Sequence, residues 1–511
     1  MFNTASVKLR LVVSVGSNAL RALISFATGL LIARALNPAG YGELMFLLGS
    51  FVAIRSLLDM GSSSAFFTFL SQRARGQRFY LLYFAWLLLQ FFVTIALIFL
   101  VIPQGLFEII WLGYNREIVM LAFMATFMQQ QVWQVVGQVG ESMRKTLKVQ
   151  LMNLVVASLY FVVILLISFY GQLSVEKILW ILLFQYVAAT VLAYLFLREN
   201  RLVSPVADAH PSEILLDYWS YCKPLFILAL VGFVYDFADK WMLQKFGGAV
   251  QQGFFQIASQ CAAVSLLATA SILSVFWKEV AAAWELQDRA RAAMLYRKVS
   301  RGLVMLGAII SGFLLPWSEQ IVGILLGPAY MNAWPVFAIM LLYPIYQSMG
   351  QIGGSMLFAT GQTRQYMVVS GVAMLISIPV SYVVLAPVTD DWTSGLGMGA
   401  FGLACKMVLL GIVSVNIQAW VIARYGGWTY DWLYQVVGIP LMVFLGYVAK
   451  TLAEVLWSVG NPSLAELIAP VIIAGLLYMA MVITVIWQLP WLIGTDRDEI
   501  ERLSRRLRVN Y

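Results

Sequence analysis

Arg21, Arg55, Lys240 and Lys406, together with Asp59, Asp236 and Asp239, lie inside long apolar stretches of the chain. Within a bilayer each such charge costs roughly 3 kcal/mol or more unless it is paired or faces water, so each is a candidate for ligand or ion chemistry. Arg21 shares one helix face with Asn18, Ser25 and Thr28 at spacings of three and four. That face suits a hydrated cavity and contact with an anion; the alternative is a guanidinium bound to backbone carbonyls at a helix interface. Arg55 and Asp59 are four residues apart and can neutralise each other, which fits a structural role as well as a transport role. Asp236 and Lys240 have the same spacing, leaving Asp239 without an in-helix partner. Asp239 is therefore the leading carboxylate for coupling protonation or cation binding to a change of shape, with Asp236 and Asp59 beside it. A salt bridge from Asp239 to Arg21 or Arg55 is the competing assignment. Lys406 has no acid one turn away, whereas Lys450 and Glu454 form a self-contained pair. Four positive and three negative central charges leave a slight positive excess. An anion such as a diphosphate, which needs compensation away from bulk water, would match it.

A second set of residues is neutral. Gln130, Gln134 and Gln138 recur every four residues on one helix face, and Gln347 and Gln351 do likewise beside Tyr343 and Tyr346. Amides and aromatic rings hold saccharides through hydrogen bonds and a flat face for the apolar side of the ring. Amides at this spacing also bond helices to one another. Three on one stripe exceed what a single interhelical contact needs, which favours a cavity lining for Gln130, Gln134 and Gln138. The single histidine, His210, and the scattered Cys222, Cys261 and Cys405 share no metal-ligand or disulfide spacing. No nucleophile–base arrangement or Gly-rich phosphate loop is present, so the expectation is no enzyme, no metal and no cofactor. A membrane polymerase or ligase would need exposed acids and bases, and the outer loops offer only residues such as Glu108, Glu117, Asp390 and Asp391.

The elements that must position these residues are transmembrane helices. The apolar fraction is 61% and the charged fraction 11%, against about 45 to 50% and about 25% for soluble domains. Apolar runs of about 20 residues recur with short polar breaks, the length of a helix that crosses a hydrocarbon core. Fourteen spans are predicted, at 11–34, 44–70, 79–102, 117–140, 149–170, 178–198, 220–244, 254–277, 302–327, 334–360, 366–388, 398–423, 433–457 and 464–488. The fold class is an all-α polytopic membrane protein. The net charge of +8 is spread over alternate loops rather than gathered in one module, which argues against a nucleic-acid partner. One loop set carries nearly all the lysine and arginine, while the other holds only Arg34, Arg116, Lys177 and Lys245. That asymmetry puts both termini in the cytoplasm and the chain in the inner membrane as a multi-pass protein. Lys8 and Arg10 precede a first run without a convincing cleavage site, which reads as a retained span.

Six spans precede a linker at 201–219 and six follow it, giving an N-terminal lobe at 1–200 and a C-terminal lobe at 220–424. An extra helix pair at 425–490 and a cytoplasmic tail at 491–511 complete the chain. Residues 279–301 mix Trp284, Leu286, Met294 and Leu295 with Arg289, Arg291, Arg297 and Lys298, as an amphipathic surface helix or a solvated connector would. An internal repeat is faint: the stretch Arg34 to Gly42 can be laid on Lys245 to Gly253, with only the leading cation and the closing glycine clearly matching.

The segment Leu30-Leu-Ile-Ala-Arg-Ala-Leu-Asn-Pro-Ala-Gly-Tyr-Gly42, followed by Asp59-Met-Gly61, resembles the opening signature of Wzx-type polysaccharide flippases. These belong to the superfamily of lipid II flippases and MATE drug exporters. Asp239-Lys240, Ile324-Leu-Leu-Gly-Pro-Ala-Tyr-Met-Asn-Ala333 and Ala359-Thr-Gly-Gln362 extend the likeness over about three quarters of the chain. The resemblance implies two six-helix lobes, alternating access, and an undecaprenyl-diphosphate-linked oligosaccharide moved from cytoplasm to periplasm for surface polysaccharide synthesis. Membrane lipid, a polysaccharide polymerase and other assembly proteins are the implied partners. By the same likeness the extra pair could form a lateral groove for the polyprenyl chain; plain peripheral packing is the alternative. The rival function is a cation-coupled drug or metabolite exporter of the MATE type, against which the amide-rich stripe and the extra pair argue.

Overall fold

A computed structural model describes residues 7–73, 75–198, 210–263, 266–389, 394–456 and 464–497. Residues 201–209 of the expected linker, 498–511 of the expected tail, residues 457–463 between the last two expected spans, and Asp390 and Asp391 lie outside them. All regular elements among the described residues are helical, as a lipid solvent that cannot satisfy a free backbone group requires.

Fourteen longer segments, with the short helices Gln104–Trp111 and Ser318–Leu326 between them, follow in chain order. They are α1 (7–36), α2 (38–72), α3 (Gln77–Ala96), α4 (116–142), α5 (Thr146–Tyr170), α6 (Val175–Arg198), α7 (211–247) and α8 (described over 249–263 and Leu267–Glu285). The rest are α9 (Arg289–Leu314), α10 (334–359), α11 (Thr363–Leu385), α12 (Gly399–Gly426), α13 (Leu433–Leu456) and α14 (Leu464–Gln488). Nine helices among the described residues, or ten with one bent pair, are long and apolar enough to cross a membrane unaided. Others are interrupted: α2 breaks at Met60 and Gly61, and α10 at Leu341 and Leu342.

The chain divides into two compact units, one of Met1–Gln256 with Ser377–Gly399 and the other of Ile257–Ile376 with Ala400–Tyr511. In the first unit the faint repeat acquires a geometry. The chain turns between α1 and α2 at Asn37 (φ 58°, ψ 173°) and between α7 and α8 at Gly248 (φ 75°, ψ 178°). Asn and Gly are the residues that enter positive φ most readily. Both turns come three positions after the leading cation, Arg34 or Lys245. Five positions on, each segment places a glycine against the other turn. A Cβ on Gly42 would lie 1.8 Å from the Ala249 carbonyl oxygen, and one on Gly253 would lie 2.1 Å from that of Pro38. The contact is reciprocal, as a two-fold-related pair would make it.

Arg116, at the first turn of α4, closes the end of α3. It donates to the carbonyls of Ile98 at 2.7 Å and Ile102 at 2.8 Å, which the π-turn Leu97–Val101 leaves open.

The second unit packs α13 and α14 into one core with α9, α10 and α12, through buried Met305, Ile345, Val415, Met442 and Tyr478. Small residues let backbones touch: a Cβ on Gly446 would sit 1.9 Å from the Gly312 carbonyl oxygen. The Tyr478 hydroxyl donates to the Ile309 carbonyl at 2.9 Å. Lys450 pairs with Glu454 at 3.7 Å, as the spacing predicts, and also donates to the Pro316 carbonyl at 2.9 Å. The pair is thus tied to the turn Leu315–Trp317 that follows α9 rather than self-contained.

Residues 279–301 do not form one surface helix. Helix α8 runs to Glu285, the chain turns through Gln287 at φ 57°, and α9 starts at Arg289 with the Asp288 side chain accepting from the Arg291 amide at 2.9 Å. The Asp288 cap splits the expected amphipathic helix into the arms of a hairpin, bridged by Arg291 and Glu279 at 2.9 Å.

Midway along α9, Arg301 donates through Nε to Asp431 at 2.7 Å and through a terminal nitrogen to the Trp491 carbonyl. These bonds fasten the beginning of α13 and the segment after α14 to α9. Arg301→Ala should destabilise the protein by about 3 kcal/mol, since it leaves Asp431 and a carbonyl unpaired in a largely covered site. The unfolding midpoint of purified protein measures this, and an unchanged midpoint would remove the fastening role.

Candidate functional site

The polar centre of the first unit is built by α2 and α4. Helix α4 contains a π-turn, Met128–Val132, that holds three successive glutamines. Such turns insert a residue and re-aim side chains, and they recur at functional sites. Here the three fan out to different helices. Gln129 donates to the Tyr186 hydroxyl at 3.3 Å and Gln131 to Gln90 at 3.4 Å. Gln130 turns toward α2, where its carbonyl oxygen accepts from the Arg55 guanidinium at 3.1 Å. Gln134 accepts from the other arm of the same guanidinium. Gln138 continues the stripe, and among the described residues nothing donates a hydrogen bond to its buried side-chain oxygen.

Arg55 therefore has two neutral partners rather than a carboxylate. The expected neutralisation by Asp59 is not the arrangement found, because the break at Met60 and Gly61 (φ 84°) redirects the chain just after Asp59. Asp59 instead accepts from the Ser63 amide at 3.0 Å and from the hydroxyls of Ser62 at 3.1 Å and Ser63 at 2.9 Å. It caps the second half of α2, where a carboxylate meets the positive helix end. Arg55 is thus half-buried, with no carboxylate at salt-bridge distance among the described residues.

The α7 charges occupy two settings. The Asp239 carboxylate accepts from the fully buried Ser381 hydroxyl of α11. Asp236, one turn earlier, is exposed, and Lys240 is half-buried with its stem against Gly49 of α2. A Cβ on Gly49 would sit 2.9 Å from the Lys240 Cδ, so a larger residue there would shift that stem. Ser381 and Gly49 are neighbours of the candidate residues Asp239 and Lys240 that sequence reasoning missed; a lone serine and a lone glycine in apolar helices gave no signal. Arg21 is exposed, while Thr28 of the same polar face is buried and bonded to the Ile24 carbonyl at 2.7 Å.

In the second unit Lys406 is buried on α12, with 3% of its surface exposed. Gln347 accepts from the Tyr343 hydroxyl at 3.0 Å, and Gln351 is half-buried on the same helix. A separate polar group was not foreseen. Asn416 of α12 and Gln435 of α13 exchange amide hydrogen bonds of 3.2 and 3.0 Å, and the Tyr430 hydroxyl donates to Asn416. Burial, then the neighbouring Asp431 carboxylate, pushes the Tyr430 phenol up, which keeps it a neutral donor. The trio lines a mainly apolar cleft of about 760 Å³ between α12 and α13. The signal was weak because the three residues come from separate segments.

The sequence model of the polysaccharide biosynthesis protein family matches residues 11–277, more than half of the chain. The chain belongs to the polysaccharide biosynthesis protein family. The match spans α1 through most of α8, and so contains Arg55, the glutamine stripe and the α7 charges. No curated protein sequence matches. Among solved structures, the lipid II flippase MurJ in an inward closed conformation aligns with a TM-score of 0.68 at 11% identity, covering 94% of this chain and 99% of that one. An inward-facing multidrug resistance transporter of the MATE family gives 0.61 at 14% identity, covering 79% and 95%. A MOP superfamily transporter from Pyrococcus furiosus gives 0.55 at 14% identity, covering 82% and 95%. These likenesses show that this member of the family has the MOP superfamily fold, a multi-pass bundle of about fourteen helices.

Proposed function

We propose that the chain flips undecaprenyl-diphosphate-linked oligosaccharide from the cytoplasmic to the periplasmic leaflet of the inner membrane by alternating access. The observation that carries this reading is the Arg55 guanidinium held by Gln130 and Gln134. A cation held by neutral amides is fixed in place yet uncompensated, which is what a diphosphate leaving water requires. The amides themselves, with Gln138 still lacking a donor, supply the hydrogen bonds a sugar needs. Membership of a polysaccharide biosynthesis family and the flippase-like fold agree with that cargo.

Arg55, with Arg21 and Lys240, acts on the diphosphate in the first unit, and Lys406, Gln347 and Gln351 are the corresponding residues of the second. Asp239 and Asp236 couple ion or proton binding to the change of shape, and Asp59 sets the bend of α2 on which Arg55 rides. A polymerase and other assembly proteins receive the product. In cells, deleting the gene should abolish surface polysaccharide and pile up lipid-linked oligosaccharide on the cytoplasmic leaflet. Normal surface polysaccharide after deletion, in a strain without a second flippase, would refute the reading.

A further inference from the structure

We infer that the groove between the start of α11 and the end of α12 is a binding site for an anionic glycerophospholipid. The groove has a volume of about 630 Å³, with Arg364 and Gln365 on one wall and Trp420, Arg424 and Tyr425 on the other. Its mouth is doubly cationic, and among the described residues neither guanidinium has a carboxylate partner. The rim is held in place. The Arg424 guanidinium rests 5.5 Å from the Trp420 ring centre, and Gln365 donates to the Tyr425 hydroxyl at 2.9 Å. A third guanidinium, that of Arg289, donates to the Tyr425 carbonyl at 3.4 Å.

Below the mouth the walls become apolar. Val368 and Val369 on α11 and Trp420 and Val421 on α12 line the groove, and exposed Val372 and Leu375 carry the apolar row of Val368 further along α11. The start of α11 meets the end of α12, where Gln365 bonds Tyr425, so the apolar rows of both walls begin at the same basic end. A phosphodiester in the mouth would meet two arginine forks, and its acyl chains would lie along these rows. A soluble phosphate would use the mouth and leave the rows uncovered. The basic ends of α11 and α12 belong to the loop set that the charge asymmetry puts in the cytoplasm, where the membrane surface is anionic.

The test titrates purified full-length protein in detergent with phosphatidylglycerol or phosphatidylcholine and counts bound lipids by native mass spectrometry. Wild type should retain phosphatidylglycerol over phosphatidylcholine. The R364Q/R424Q variant should bind phosphatidylglycerol about thirtyfold more weakly, from the loss of two near-surface charges, with phosphatidylcholine unchanged. Val368→Trp, which fills the groove without altering charge, should also lose the lipid. If R364Q/R424Q fails to fold, R364K/R424K keeps the charge and should retain the preference. Equal retention by wild type and the charge-free variant overturns the assignment. So does displacement of phosphatidylglycerol by millimolar inorganic phosphate, which makes the mouth a plain anion site, or by equimolar undecaprenyl phosphate, which makes the groove part of the cargo path.

Discussion

Arg55→Ala is expected to lower transport of lipid-linked oligosaccharide by about 10- to 100-fold while the protein still folds and reaches the membrane. The size follows from one lost charge-assisted contact with phosphate, worth about 1.5 to 3 kcal/mol, at about 1.4 kcal/mol per factor of ten. The substitution also leaves the carbonyl oxygens of Gln130 and Gln134 without their donor, so stability must be read separately. Arg55→Lys distinguishes the two effects. It keeps the charge but cannot reach both amides at once, so it should recover part of the transport. If Arg55→Ala lowers the unfolding midpoint and the amount of protein in the membrane as much as it lowers transport, Arg55 is a strut and not a cargo contact.

The second large effect is structural. Gly42→Val or Gly253→Val should each cost about 3 kcal/mol or more, because the new side chain would meet a backbone carbonyl and neither turn can yield without moving the other. Thermal unfolding and membrane yield report this loss. Gly302→Ala, where a Cβ meets nothing within 4 Å, is the control and should remain near wild type. Tolerance of valine at both turn glycines would mean that the reciprocal contact is not part of the stable fold.

How much of this was legible in the sequence depends on the range of the signal. The spans were readable because hydropathy is local and a helix must satisfy its own backbone in lipid. The stripe of Gln130 and Gln134 was readable from its spacing, and the structure joins both to one guanidinium. The identity of that guanidinium was not. Arg55 and Asp59 are within reach on an ideal helix, but the break after Asp59 hands the carboxylate to Ser62 and Ser63. The π-turn at Met128–Val132 is likewise invisible to a count of 3.6 residues per turn, yet it sends Gln129, Gln130 and Gln131 in three directions. The hairpin at Asp288 shows the same limit, since amphipathic periodicity runs through a turn that one capping carboxylate creates. In the repeat, the sequence retains a cation and a glycine from each copy, while the match resides in the backbone turns at Asn37 and Gly248.

Purified protein in liposomes, with fluorescent lipid-linked oligosaccharide placed in one leaflet, gives the most direct measurement. The rate at which the label becomes accessible to an impermeant reagent on the far side is followed, alongside uptake of a cationic dye. Protein-dependent crossing of the sugar lipid with no movement of the dye is the predicted result. Dye movement while the sugar lipid stays in its original leaflet would contradict the account.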